Sequence, residues 1–139
     1  HDNNLLELEK FGDLRDLINR RADKGEMITV NTSETLLVAY NRMRASDISQ
    51  IPVLSDGKLV GVLDEEDLLF TVSKEPGKFS DNVSLHMIDR LDTLQFDASK
   101  DELLAILSEG KVAIVYKEET FIGFVTKVDL INFYRNKLN

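Results

Sequence analysis

At two places in the chain a glycine and two apolar residues lead into a polar side chain, which stands three residues before an aspartate that is followed by two apolar residues. Thr126 precedes Asp129 in this way, and Asp64 precedes Asp67. Threonine and aspartate are both good N-cap residues, so each pair predicts the first turn of a helix. At such a turn a threonine hydroxyl and the free backbone N–H groups suit a polar or anionic part of a ligand. The same spacing also caps a helix when no ligand is present, and capping accounts for most such patterns.

The amino-acid composition excludes several other kinds of functional site. The 139 residues include 17 lysines and arginines, 25 aspartates and glutamates and no cysteine, and the net charge is −8. Without cysteine there is no thiol nucleophile, disulfide or Cys-ligated metal, and the isolated His86 does not predict a metal site. The negative charge argues against nucleic acid and anionic lipid as partners, and no apolar run is long enough to span a membrane. We therefore expect a cytoplasmic protein with no metal, nucleic-acid or membrane partner.

Two stretches of the chain resemble each other and indicate an internal repeat. Gly61 and Gly123 lie 62 positions apart, and so do Asp67 and Asp129. Each stretch predicts a β-hairpin followed by a helix, and a short extended piece and a further helix come before it. In the first stretch the extended piece is 27–30, and the apolar positions of the leading helix are Leu36, Ala39, Tyr40 and Met43. In the second stretch the extended piece is 93–96, and the apolar positions are Leu103, Ile106 and Leu107.

We expect an α+β fold in which two β–α–β–β–α repeats are related by a pseudo-twofold axis. A half of about 60 residues buries only a marginal core, so the two halves are expected to pack through their sheets. The predicted segments are a helical lead-in over 1–21, a first repeat over 22–73, a linker over 74–81 and a second repeat over 82–139. In the lead-in, Asp13 is expected to cap a helix that runs to about Arg21 and connects to an upstream domain. Further side chains expected in the core are Tyr40, Met43, Phe124 and Phe133.

One pattern occurs twice: a hairpin that includes a glycine and two apolar residues, then Ser or Thr, two further residues, Asp and two apolar residues. This repeated pattern resembles a tandem pair of CBS domains. The resemblance covers residues 22–138. Residues 123–131 match it throughout, whereas Asp64 stands where the family usually has Ser or Thr. Three stretches resemble, more narrowly, the C-terminal regulatory region of bacterial cystathionine β-synthases: 12–18, 42–53 and 128–133.

This resemblance implies a regulatory module that is not itself an enzyme. The parent protein would be a lyase dependent on pyridoxal phosphate (PLP), with the PLP and the catalytic domain upstream of His1. The module would bind a small adenosyl ligand between its halves and form a homodimer through its helices. S-Adenosylmethionine or AMP suits the site better than ATP, because Lys127 is the one clear basic residue beside it and Arg42 and Arg44 are interpreted as a solvated helix face. Two alternatives stay open: a structural dimerisation module without a ligand, and a CBS pair from a transporter or a nucleotide dehydrogenase.

The family pattern also implies which side chains hold the ligand. Asp129 would accept the ribose hydroxyls, and Thr126 would face a polar group of the ligand. The base would lie among Ile28, Ile48 and Ser49 from the other half.

A second, weaker site is implied in the first repeat. It would use Asp64 and Asp67 with residues near Val112 and Leu94. Asp64 adds a negative charge at the position where Thr126 has a neutral hydroxyl, which would repel a phosphate or carboxylate. We therefore expect one ligand per chain, at the second repeat's helix.

Overall fold

The computed structural model describes residues 12–138, and this part of the chain forms two compact units. The first unit contains residues 28–91, and the second contains residues 92–138 together with residues 12–27. Each unit has one three-stranded sheet and two α-helices. The predicted α+β class and the predicted repeat of strands and helices are therefore confirmed. None of the helices within residues 12–138 combines the length and the apolar character needed to cross a membrane.

The first unit forms its core between one face of its sheet and its helices. The chain runs β1 (Val30–Asn31), α1 (Leu36–Ser46), β2 (Gln50–Ser55), β3 (Lys58–Asp64) and α2 (Glu65–Lys74). Strand β2 lies in the middle, parallel to β1 and antiparallel to β3. The hairpin turns at Asp56 and Gly57, whose φ angles of +51° and +78° suit a two-residue turn. The buried core residues are Val30, Leu36, Ala39, Met43, Ile51, Val53, Leu63, Leu68 and Val83.

The second unit repeats this order with different turn chemistry. Its elements are β4 (Thr93–Gln95), α3 (Lys100–Ser108), β5 (Ala113–Lys117), β6 (Thr120–Val125) and α4 (Lys127–Asn136), and β5 is the middle strand. The β5–β6 turn places Glu118 at φ +58° without a glycine. The side chain of Gln95 holds this turn, since its Oε1 accepts the Glu118 N–H at 2.8 Å and its Nε2 donates to the Glu118 carbonyl at 3.1 Å.

In each unit a segment from elsewhere in the chain crosses the hairpin at the repeated glycine. In the first unit a Cβ atom on Gly61 would lie 2.6 Å from the sulfur of Met87. In the second, a Cβ atom on Gly123 would lie 2.7 Å from Cγ2 of Ile18 and 3.0 Å from the carbonyl oxygen of Arg20. Real Cβ atoms essentially never come within 3.0 Å of another heavy atom. Glycine therefore recurs 62 positions apart because another segment of chain passes directly over each hairpin.

The helical part of the lead-in is shorter than predicted, because the helix expected to run from Asp13 to about Arg21 does not form. Asp13 does cap a turn, but this is a 3₁₀ turn over Leu14–Leu17, and Ile18 is already extended. A second 3₁₀ turn covers Ala22–Lys24. The extended backbone after the first turn lets the chain pass over Gly123, which a continued helix would not permit. The apolar residues of the lead-in before Gly12 lie outside the described residues.

The segments grouped by the structure differ from the predicted boundaries. Residues 82–91, expected in the second repeat, group with the first unit, and residues 22–27, expected in the first repeat, group with the second. The segment expected as a linker contains a 3₁₀ helix over Pro76–Ser80 that packs against α1 and α2. Long-range packing produces these differences, because no turn signal in the sequence shows which hairpin a connecting segment covers.

Candidate functional site

The first turn of α4 is closed by a reciprocal pair of hydrogen bonds. The Thr126 hydroxyl accepts the N–H of Asp129 at 3.2 Å, and Oδ2 of Asp129 accepts the N–H of Thr126 at 2.8 Å. This is a capping box, so both residues contribute to the stability of the helix. Within residues 12–138 the Asp129 Oδ1 atom accepts no hydrogen bond and the Thr126 hydroxyl hydrogen is not donated. One acceptor and one donor are thus available at a half-buried position.

The first turn of α2 is closed differently, although it occupies the same place in the repeat. Oδ1 of Asp64 accepts the N–H of Glu66 at 2.7 Å, and Oδ2 accepts a hydrogen bond from Nε2 of Gln50 at 3.2 Å. The carboxylate of Asp67 has no hydrogen-bond partner within the described residues. Glu65 and Glu66 add two further exposed carboxylates to this turn. The first repeat therefore presents negative charge where the second presents a neutral hydroxyl beside one carboxylate.

The remaining predicted ligand residues are distributed between the two units. Ile28 and Ile48 lie in the first unit, half-buried against its core. The Ser49 carbonyl oxygen accepts the N–H of Glu65 at 2.9 Å, so Ser49 adjoins the start of α2 in its own repeat. The sequence did not indicate this contact, which depends on how β2 and α2 meet. The grouping of Ile28, Ile48 and Ser49 with Thr126 and Asp129 stays a prediction.

The predicted partners of the weaker site lie in the second unit. Val112 is half-buried and directly precedes β5. Leu94 lies on β4 opposite Val115 and packs against the core of the second unit. Their grouping with Asp64 and Asp67 of the first repeat likewise stays a prediction.

Arg42 is occupied by contacts within the first unit. Its guanidinium donates to both carboxylate oxygens of Glu34, at 2.8 and 2.7 Å, and also to the carbonyl oxygen of Thr29 at 3.0 Å. These hydrogen bonds lower the pKa of Glu34, which also accepts the N–H of Asn31. Arg42 thus ties helix α1 to the chain on both sides of β1. Arg44 is exposed and has no ion-pair partner among residues 12–138.

His86 pairs with a single carboxylate, that of Asp81. Its Nε2 lies 2.8 Å from Oδ2 of Asp81. Within the described part of the chain no group of three His, Cys, Asp or Glu side chains could hold a metal ion. The backbone of Asp81 also accepts the first N–H of α1, from Leu36. The carbonyl of Asp81 therefore connects the loop that follows α2 to the start of α1, and the pair of Asp81 with His86 lies within that loop.

Two helices carry exposed apolar side chains that neither core uses. Leu69 and Phe70 on α2 are 65% and 61% exposed, and Val128 and Ile131 on α4 are 63% and 62% exposed. Leu69 and Ile131 occupy equivalent positions of the repeat, 62 residues apart. Large apolar side chains exposed together on a helix are typical of a surface that contacts another protein.

Of the four side chains expected in the core, three are buried there in full or in part. Met43 and Phe124 are buried, and Phe133 packs partly buried against the core of the second unit. The prediction for Tyr40 is wrong, because 37% of this residue is exposed and its ring contacts the ring of Phe79 at a centroid distance of 6.0 Å.

Comparison with known proteins finds a family to which part of the chain is similar. Residues 14–74 match the family model described as the CBS domain. A curated relative, inosine-5'-monophosphate dehydrogenase from Thermoplasma acidophilum, is 28% identical over 109 residues, which are 76% of this chain. The chain spans about a fifth of the length of that relative (21%). The matched relative is a nucleotide dehydrogenase, and the narrower resemblance to cystathionine β-synthases receives no support from the comparisons.

Solved structures of CBS-domain proteins share the fold over most of the chain. A CBS-domain-containing protein from Agrobacterium tumefaciens is 21% identical, with a TM-score of 0.75 over 88% of this chain and 98% of that one. A CBS-domain-containing protein from Bacillus anthracis is 20% identical, with a TM-score of 0.74 over 90% of this chain and 94% of that one. Residues 14–74 are thus similar in sequence to the CBS domain, and the fold of CBS-domain proteins extends over both repeats of the chain.

Proposed function

We propose that this module senses an adenosine-containing ligand, which it binds through Thr126 and Asp129. The observation that supports this most is the state of the α4 capping box, where Oδ1 of Asp129 and the Thr126 hydroxyl hydrogen are both unused within residues 12–138. A carboxylate oxygen can accept hydrogen bonds from ribose hydroxyls, and charge-assisted bonds of this kind are the stronger ones. The ligand would therefore add hydrogen bonds to the box without having to break it.

The charges near α4 favour AMP or S-adenosylmethionine over ATP. Lys127 is exposed at the start of α4, forms no ion pair within the described residues and is available to one anionic group. Arg42, the other cation considered for phosphate, already donates to both oxygens of Glu34. One available cation matches a single phosphate or carboxylate and leaves a triphosphate poorly neutralised. In this proposal the base lies against Ile28, Ile48 and Ser49 of the other repeat.

The first repeat is proposed to bind the same ligand much more weakly. Both oxygens of Asp64 already accept hydrogen bonds, and its charge faces the position where a ligand anion would sit. A like charge at about 4 Å costs on the order of 1–4 kcal/mol for effective dielectric constants of 80 to 20. That cost corresponds to a loss of roughly ten- to a thousandfold in affinity.

Isothermal titration of the whole chain with AMP, S-adenosylmethionine and ATP tests the proposal. The informative variant is Asp129→Asn, because an amide oxygen can still accept the Thr126 N–H while the negative charge is lost. Its matched control is Asp67→Asn, at the same place in the other repeat. We expect Asp129→Asn to weaken binding by roughly ten- to a hundredfold, as for the loss of a charged hydrogen bond, and Asp67→Asn to leave it unchanged.

The opposite result, with binding lost in Asp67→Asn and kept in Asp129→Asn, would assign the ligand to the first repeat. If wild-type protein binds none of the three compounds at millimolar concentration, the sensing proposal is wrong. The ligand-free dimerisation module then becomes the better description.

We also propose that two copies of the chain associate through α2 and α4. The exposed apolar side chains of these helices, Leu69, Phe70, Val128 and Ile131, support this. Each chain has a mass of 15.8 kDa, so light scattering should give about twice that value. A mass of one chain at tens of micromolar, an order-of-magnitude working concentration, would contradict the homodimer.

The module is proposed to regulate a larger enzyme. The relative inosine-5'-monophosphate dehydrogenase is about five times as long as the matched region, which favours a nucleotide dehydrogenase as the type of parent. A PLP-dependent cystathionine β-synthase rests only on the three short stretches of resemblance. The coding sequence on either side of the chain distinguishes the two, because a PLP-binding catalytic domain and a nucleotide dehydrogenase domain have different sequence motifs.

A further inference from the structure

The two segments that cross the hairpins are held by different numbers of hydrogen bonds. In the first unit the crossing segment, residues 83–91, is held through a two-way bridge, since Val62 N–H donates to the Ile88 carbonyl at 2.9 Å and Ile88 N–H donates to the Val62 carbonyl at 2.8 Å. The N–H of Val83 also donates to the carbonyl of Glu34. Three backbone hydrogen bonds thus connect this segment to the rest of its unit.

In the second unit the crossing segment, residues 13–20, is here called the strap. Within the described residues one backbone hydrogen bond joins it to the rest of the unit, from the N–H of Leu14 to the carbonyl of Phe96 at 2.9 Å. Its other hydrogen bonds and its Arg15–Asp13 ion pair are internal. What holds the strap is apolar burial and the Arg15 guanidinium over the Phe96 ring, 4.6 Å from its centroid. The buried strap residues are Leu14, Leu17 and Ile18.

The strap also contacts the helix that carries the proposed ligand residues. Helix α4 packs against the turn Leu14–Leu17. Leu130, the residue after Asp129, is buried in the same core as Leu14 and Leu17. A change in the order of the first turn of α4 therefore acts directly on the surface that the strap covers.

We infer that the strap is a detachable element whose attachment depends on the first turn of α4, so that the state of the Thr126–Asp129 turn is transmitted to the lead-in. The linkage to a ligand rests on the proposed function, whereas the detachment does not. A segment held by few hydrogen bonds opens locally before the unit unfolds. A ligand that orders the first turn of α4 shifts that opening equilibrium toward the attached form.

NMR-detected hydrogen exchange on the whole chain tests detachment. The reporters are the amides of Leu14, for the strap, and of Val62 and Ile88, for the other crossing segment. With fewer hydrogen bonds to break, the Leu14 amide should exchange faster than the other two by on the order of tenfold or more. Equal protection of the three amides would overturn the inference.

Two variants of the second unit test the dependence on α4. Asp129→Ala removes the capping box of α4, and Ser99→Ala removes the equivalent capping box of α3, where the Ser99 hydroxyl accepts the N–H of Glu102. We expect Asp129→Ala to speed exchange at Leu14 by on the order of fivefold, as for the loss of one helix cap, and Ser99→Ala to have little effect there. Equal acceleration by both variants would show a general loss of stability and would overturn the linkage.

Adding AMP or S-adenosylmethionine to the wild-type chain separates this inference from the proposed function. Slower exchange at Leu14, with Val62 unchanged, supports both. If calorimetry detects binding and exchange at Leu14 does not change, the ligand is sensed without the strap and the inference fails alone. If neither compound binds, the proposed ligand is wrong, while the comparison of Asp129→Ala with Ser99→Ala still decides whether the strap depends on α4.

Discussion

The glycine at the centre of the first hairpin offers a sharp test of how the chain is arranged. In the Gly61→Ala variant the new Cβ atom would lie 2.6 Å from the sulfur and 2.9 Å from Cγ of Met87, and 3.0 Å from the Ile88 carbonyl oxygen. The thioether of Met87 can rotate away. The Ile88 carbonyl cannot retreat freely, because it accepts the N–H of Val62 at 2.9 Å.

The size of the effect follows from two opposing contributions. Adding a methyl group where there is no room for it costs about 1–3 kcal/mol. Replacing glycine by alanine also restricts the unfolded chain, which favours the folded state by about 0.4–1 kcal/mol. The net expectation is a loss of about 0.5–2 kcal/mol in the free energy of unfolding. For a unit of this size, each 1 kcal/mol lowers the melting temperature by about 4–8 °C.

Urea denaturation followed by circular dichroism measures the change, and the same unit supplies a control. A Cβ atom added at Gly77 would have no heavy atom within 4 Å, and the backbone of Gly77 is not in the left-handed region. Gly77→Ala should therefore be neutral or stabilising by up to about 1 kcal/mol. The double variant Gly61→Ala/Met87→Ala should recover part of the loss, because it removes the side-chain overlap and leaves the close contact with the Ile88 carbonyl.

Equal stability of the Gly61→Ala and Gly77→Ala variants would refute this reasoning. The segment containing Met87 and Ile88 would then not lie over β3. The grouping of residues 83–91 with the first unit would also have to be abandoned.

Three further outcomes are expected from single side chains. Glu34→Gln should lower the free energy of unfolding by about 0.5–1 kcal/mol in urea melts, since the two-oxygen contact with its arginine is lost; an unchanged midpoint would contradict the pairing. Hydrogen bonds from Arg15 lower the pKa of Asp13 below its usual 3.8, so this pair should stabilise the fold fully above about pH 4 and lose that contribution as the pH falls through the lowered value. Stability measured from pH 6 to pH 2 should therefore fall less steeply in Asp13→Asn than in wild type, and identical slopes would argue against the pair. Ile131→Lys should shift the dimer to monomer in light scattering, whereas Leu85→Lys, at an exposed residue outside α2 and α4, should not; a dimer that survives Ile131→Lys excludes α4 from the interface.

Several elements of the fold were predictable because short-range interactions determine them. The Asp56-Gly57 pair between two β-rich runs predicted the first hairpin, and the positive φ angles at both residues agree with it. Asp64 and Thr126 were predicted as N-caps, and each accepts a backbone N–H at the start of its helix. In every case the interacting groups lie within four residues of each other, so the sequence pattern contains the whole interaction.

The candidate site could be predicted only in part, because some of its hydrogen bonds join residues that are far apart in the sequence. The pairs Thr126–Asp129 and Asp64–Asp67 were identified from their spacing in the sequence. Their different hydrogen bonding was not, because Gln50 reaches Asp64 from a neighbouring strand. The pairing of Arg42 with Glu34 was also missed, since it depends on how α1 lies beside the loop before it.

The sequence by itself therefore determined the repeat, the hairpins and the helix caps of this protein. Only the tertiary structure decided which hairpin each connecting segment covers. The strap crosses Gly123 from more than a hundred residues away in the chain, while residues 87–88 turn back over Gly61. The sequence shows that the two glycines recur 62 positions apart. The structural reason for glycine at both positions is the close approach of another segment of the chain. That approach is set by apolar burial, which has no direction along the chain and leaves no local sequence signal.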